Sequence, residues 1–145
     1  MASVRESVLI DVPVEKSFSY VTSPENWTRY VTSLTEVRDF SLDTVQKGME
    51  FTWEYRMLGM KFGGKGTVEE FEPAKKFAMK MEGGFPIREV FEFENQGGKT
   101  LLTFSIEYEI PNKVLSIVAN SSVVEGLNAR EVKSVLEKVK VLCEA

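Results

Sequence analysis

Apolar and polar residues alternate with a period of two through the middle of the chain, which predicts strands. The pattern is clearest over 49–57, where Met49, Phe51, Trp53, Tyr55 and Met57 alternate with Glu50, Thr52, Glu54 and Arg56. Leu58-Gly59 predicts a two-residue turn pairing Met57 with Met60, Tyr55 with Phe62, Trp53 with Gly64 and Phe51 with Gly66. Directly paired residues share a face, so the apolar side stays apolar across the hairpin. Gly64 and Gly66 leave room opposite two aromatics and ease strong curvature. Pro73-Ala74 predicts the next turn, with Val68 opposite Met79 and Glu70 opposite Phe77. A three-residue turn, Glu82-Gly83-Gly84, sets Met81 opposite Phe85 and keeps Phe77, Met79, Met81, Phe85 and Ile87 on one face. Gly97-Gly98 pairs Phe93 with Leu102, Phe91 with Phe104 and Glu89 with Ile106. Leu102, Phe104, Ile106, Tyr108 and Ile110 then point inward on the last strand.

The flanks read differently. Residues 4–11 form a first strand, and VPVEKSFSYVTS a short helix with Pro13 in its first turn and Val14, Phe18 and Val21 on one side. SPENWTRYVTS is a second short helix, capped by Ser23, with Trp27 and Tyr30 on its apolar side as gate or plug. Residues 35–41 form a less regular strand. Beyond Pro111, the residues Ile117, Val118, Val124, Val132, Val135, Val139 and Leu142 recur near helical spacing, predicting one long helix from about Asn112 to Cys143. Gly126 costs about 1 kcal/mol there relative to alanine and marks a bend or a close approach.

A lone antiparallel sheet must cover its apolar face, and only the last helix is long enough to do so. The expected fold is therefore α+β, in one domain over 1–145. A curved antiparallel sheet of about six to seven strands wraps round a long C-terminal α-helix, with two short helices after strand 1. Such a wrap tends to leave a cavity, whose expected occupant is a hydrophobic small molecule lying against residues 114–135 of the helix.

The bulk numbers narrow the partners. Eighteen basic against 22 acidic residues give a net charge of −4, which argues against nucleic acid and anionic membrane surfaces. No apolar run approaches the roughly 18 residues of a membrane span, so no stable membrane insertion is expected. A single cysteine, Cys143, forms no internal disulfide and fits a reducing, cytoplasmic setting. Its thiol is reactive only if its pKa is depressed. With no histidine, the commonest general base and metal ligand are missing; no metal site and no cofactor are expected. The oligomeric state is left open.

The inner face carries few charges. Glu89 is the clearest, between Ile87 and Phe91, and Glu70 is the second. By the register above, Glu70, Phe77, Glu89 and Ile106 form one row. A bulge at Glu69-Glu70 would instead turn Glu70 out and Phe71 in. A carboxyl in an apolar cavity has a raised pKa and serves as polar anchor, proton donor or base. No catalytic residue is assigned; Glu89 and Tyr108 are the candidates for proton transfer. The expected ligand-binding set is Phe51, Trp53, Tyr55, Phe62, Met79, Glu89, Phe91, Phe104, Ile106, Tyr108, Ile117 and Val124, with tyrosine hydroxyls for orientation. Ser121-Ser122 either offer small polar groups to the cavity or lie on the surface.

The order of elements resembles the helix-grip plan of the START-like (SRPBCC) superfamily. VPVEKSFSYVTSPENWTRY resembles its opening segment, KGMEFTWEYRMLG its third-strand region and TVEEFEPAKKFAMKM its strand–turn–strand hairpin. GGKTLLTFSIEYEIP resembles its last strand and KVKVLCE its helix end. The chain most resembles the branch of polyketide cyclases/dehydrases and lipid-transport proteins. That resemblance implies binding of lipids, sterols, polyketides, plant hormones or quinones, with cyclisation in a minority. Three functions follow as expectations. The first is a carrier or sensor of a hydrophobic small molecule; the second is a polyketide aromatase/cyclase or dehydratase using Glu89 or Tyr108. The third is a protein-interaction domain with a closed core.

Overall fold

The computed structural model describes residues 2–115 and 122–145. Among these residues, seven antiparallel strands form one sheet: β1 (Ala2–Ile10), β2 (Leu34–Arg38), β3 (Glu50–Met57), β4 (Met60–Glu72), β5 (Lys76–Gly83), β6 (Ile87–Gln96) and β7 (Lys99–Tyr108). Their order is β1-β7-β6-β5-β4-β3-β2. The last six strands form a hairpin meander, and β1 pairs with β7 along its full length. Helices α1 (Val14–Thr22) and α2 (Pro24–Tyr30) carry the chain from one sheet edge to the other. Of the expected C-terminal helix, the described residues comprise α3 (Asn112–Leu115) and α4 (Ser122–Glu144). Ile117, Val118 and Ser121 lie outside the described residues. The long helix α4 packs on β1, β7, α1 and α2, as a half-apolar sheet requires.

Turn chemistry set the register where it is strongest. Leu58 and Gly59 both have positive φ, 53° and 74°, the backbone of a type I′ turn. All four predicted β3–β4 pairs are present, as are the three β6–β7 pairs closed by Gly97-Gly98. Gly66 has no room for a side chain: a Cβ would sit 2.3 Å from the Phe51 ring. At Gly64 the space belongs to the neighbouring strand, for a Cβ would lie 1.9 Å from the backbone oxygen of Glu82.

Two registers differ from expectation. A bulge between Val68 and Glu70 shifts β4 by one residue, so Glu70 opposes Ala78 and Phe71 opposes Phe77. Glu70 therefore leaves the inner row. It joins Arg88 (3.3 Å) and Lys76 (3.2 Å), while Arg88 also binds Glu69 at 2.9 Å. The extra residue lets two carboxylates reach cations instead of burying one. The β5–β6 connection is also longer than three residues, since Met81 pairs with Ile87, not with Phe85. A shift of two residues preserves the faces, so Phe85 is still buried.

Smaller corrections concern the helices. The Ser23 hydroxyl does not cap α2; it donates back to the carbonyl of Ser19 at 2.7 Å. In α4 the buried stripe ends on Cys143, whereas Leu142 is 39% exposed. Position 143 continues the spacing of Val132, Val135, Leu136 and Val139, and 142 turns away. Gly126 makes no close approach, with nothing within 4 Å of a Cβ built on it.

Candidate functional site

The interior between sheet and α4 is an aromatic core. Phe91 stacks on Phe104 with centroids 4.3 Å apart and meets Tyr30 edge-on at 6.0 Å. Trp27 packs on Phe51 at 5.1 Å. The polar ends of the two helix aromatics close on one carbonyl: Trp27 Nε1 and Tyr30 Oη both donate to Val21 O, at 3.0 and 2.7 Å. These bonds hold α2 with its aromatics turned into the core.

Glu89 sits in this setting. Strand β6 places it opposite Met79 on one side and Ile106 on the other. It is only 6% exposed. No donor or cation among the described residues is bonded to its carboxyl. Burial, with a smaller contribution from the charge of Glu131, pushes its pKa up to about 8. At neutral pH the group is therefore mostly a neutral acid, able to donate a hydrogen bond. Burial likewise raises the phenols of Tyr30 and Tyr55, so both remain protonated.

Two internal voids touch Glu89. One lies under α4, between Tyr55, Phe104 and Ile106 on the sheet and Asn128, Glu131 and Val135 on the helix. The other lies under α2, bounded by Trp27, Tyr30, Leu34, Phe51, Met79 and Met81. Each measures about 10 Å³, close to the room one water molecule needs. Around Glu89 the space between sheet and α4 is thus largely filled by side chains, and the wide cavity expected there is not found among the described residues. A larger groove of about 600 Å³ lies outside, between the α1–α2 corner and the 40–45 loop, with Phe40, Leu42 and Phe71 among its walls. It is open to solvent, and Asp43 is its one ionisable lining group among the described residues.

Of the expected binding residues, Phe51, Tyr55, Met79, Glu89, Phe104 and Ile106 line the voids. Trp53, Phe62, Phe91, Tyr108 and Val124 are buried but stand back from them as packing. Ile117 lies outside the described residues. Glu70 is excluded by the bulge. Burial raises the pKa of the Tyr108 phenol, and the neighbouring Asn128 amide partly offsets the rise. Ser122 is exposed. Cys143 is 2% exposed, and burial pushes its thiol up to about 11, so the depressed pKa that reactivity needs is not found.

Two polar residues of α4 escaped the sequence reading. Asn128 falls in the apolar stripe, four residues from both Val124 and Val132, and is 1% exposed. A polar residue at a position due to be apolar was the available signal. Glu131 reaches across to the α2–β2 turn, accepting from Ser33 Oγ at 3.1 Å and Ser33 N at 3.4 Å. Its role needs the tertiary contact and has no local signature.

Among the described residues no cluster of acidic or cysteine side chains is arranged to hold a metal ion, and no helix is long and apolar enough to cross a membrane.

Comparison with solved structures shows the same architecture in bacteria and plants. TTHA0849 from Thermus thermophilus is 18% identical over 98% of this chain and 97% of its own, with a TM-score of 0.77. The Zhui aromatase/cyclase from Streptomyces sp. R1128 is 10% identical over 99% of this chain and 93% of its own, also at 0.77. Major latex-like protein 151 from Panax ginseng is 16% identical over 99% and 98%, at 0.70. At these identities the likeness is one of fold. No curated protein matches the sequence closely enough to count as a relative. The family model described as "polyketide cyclase / dehydrase and lipid transport" matches residues 1–144, and the chain belongs to that family.

Proposed function

We propose that the protein binds a hydrophobic small molecule, such as a lipid, quinone or polyketide, between the sheet and α4, as a carrier or sensor in a reducing, cytoplasmic setting. Glu89 carries the reading. A carboxyl buried in an apolar core costs stability unless it is paired or neutral. Here it bears a proton, bonds no described residue and faces both voids, which suits a group kept for a ligand. The apolar remainder of the ligand would be held by burial, worth about 25 cal/mol per Å² before ordering costs. Ligand pockets usually measure about 300 Å³ or more, so binding requires the interior to open. Met79 and Met81, unbranched and adaptable, form part of the wall that must yield.

A second reading has one observation in its favour: a carboxyl titrating near 8 is matched to proton transfer at physiological pH. An aromatase/cyclase or dehydratase would use Glu89 on an enolisable ketone. Glu89→Gln separates the two. An enzyme loses turnover while keeping affinity; a carrier changes only modestly in affinity and has no turnover to lose. The binding claim itself is tested with Nile red, an uncharged apolar dye. Saturable uptake at one site per chain, displaced by a medium-chain ketone, is expected. No saturable uptake would refute it and favour a closed-core interaction domain.

A further inference from the structure

The void under α4 has a second polar wall. Asn128, Glu131, Val132 and Val135 follow at helical spacing and line it together. Asn128 Nδ2 is buried and has no hydrogen-bond partner among the described residues. Asn128 lines the void, so its N–H groups are left for whatever occupies it. An unpaired buried donor is costly and rare in native interiors. Glu89 closes the opposite wall from β6.

We propose that Asn128 and Glu89 form a two-donor anchor that selects ligands bearing an uncharged carbonyl oxygen over carboxylates and amines. The inference rests on the binding reading above and names the head group it takes. A carbonyl oxygen has two lone pairs and accepts from both walls at once. The protonated Glu89 supplies the O–H, and Asn128 the N–H. A carboxylate would bring a further negative charge beside Glu131, which lines the same void. An amine cation would face the Asn128 N–H and would require Glu89 to ionise in an apolar site. The head group therefore fits a ketone, quinone or ester.

The test compares methyl decyl ketone, lauric acid and laurylamine, matched in chain length, by calorimetric titration at pH 7 below their aggregation thresholds. The ketone should bind about tenfold or more tightly than either charged probe, the value of one well-made hydrogen bond in a dry site. Asn128→Leu should weaken the ketone about tenfold and leave lauric acid unchanged, so the preference collapses. Equal affinities, or tighter binding of the acid or the amine, would overturn the inference, as would an Asn128→Leu variant that weakens all probes alike. Should that variant fold poorly, the ranking on the natural protein decides alone. Loss of Nile red uptake together with all three probes would remove the binding reading; dye uptake without head-group preference would remove only the anchor.

Discussion

Replacing Glu89 with glutamine should stabilise the protein, and more so as pH rises. The side chain keeps its shape and its ability to donate, but it loses the need to hold a proton. Glu89 moves from the ordinary 4.5 to about 8 on folding. The native state thus binds this proton more tightly than the unfolded chain does. Its contribution is fully present below pH 4.5 and is lost as pH climbs through 8. Linkage gives a loss of ~1 kcal/mol at pH 5, ~3 kcal/mol at pH 7 and ~5 kcal/mol at pH 9, relative to the fully protonated protein. Against a total of roughly 5–15 kcal/mol for a domain, the last figure is a third or more. Urea unfolding of the natural protein and Glu89→Gln at these three pH values isolates the effect, since the other titrating groups cancel in the difference. The advantage of the variant should grow by about 4 kcal/mol from pH 5 to pH 9. A difference that stays flat would show that folding does not raise the affinity of Glu89 for its proton. A natural protein that gains on the variant as pH rises would show that the ionised carboxylate has a partner.

Other substitutions probe the frame around the site. Phe91→Ala, which removes a ring stacked on Phe104 at 4.3 Å, should cost about 3–5 kcal/mol in chemical denaturation. Gly64→Ala should cost about 3 kcal/mol, because its Cβ meets rigid backbone at 1.9 Å. Gly126→Ala, with open space around it, should instead stabilise by about 0.5–1 kcal/mol; equal effects at the two glycines would contradict the packing described. Cys143, buried and titrating near 11, should stay unreactive to a thiol reagent at pH 8 until the protein unfolds. Rapid native-state labelling would show that the helix end opens.

The sheet was legible because its signals are local and redundant. Leu58-Gly59 and Gly97-Gly98 allow one turn geometry each, and a correct turn fixes every pair behind it. The β4–β5 register was not fixed in this way. Pro73-Ala74 is compatible with a bulge, and the choice fell to Arg88 and Lys76, which pair with Glu70 only across strands. Glu89 was readable as a charge on an apolar face. Asn128 left a trace only as a gap in the stripe of α4. The size of the interior had no trace in the sequence, since filling depends on how Trp27, Tyr30 and Phe51 interlock rather than on their order along the chain.

An interior that opens for a hydrophobic molecule anchored by Glu89 should retain that molecule through mild purification. A native mass spectrum of gently purified protein, set against its denatured mass, asks the question without choosing a ligand beforehand. A discrete excess mass that disappears on denaturation is predicted, with fragments of a lipid-, quinone- or polyketide-like compound. An unshifted native mass, even after incubation with mixed lipid and quinone extracts, would contradict it.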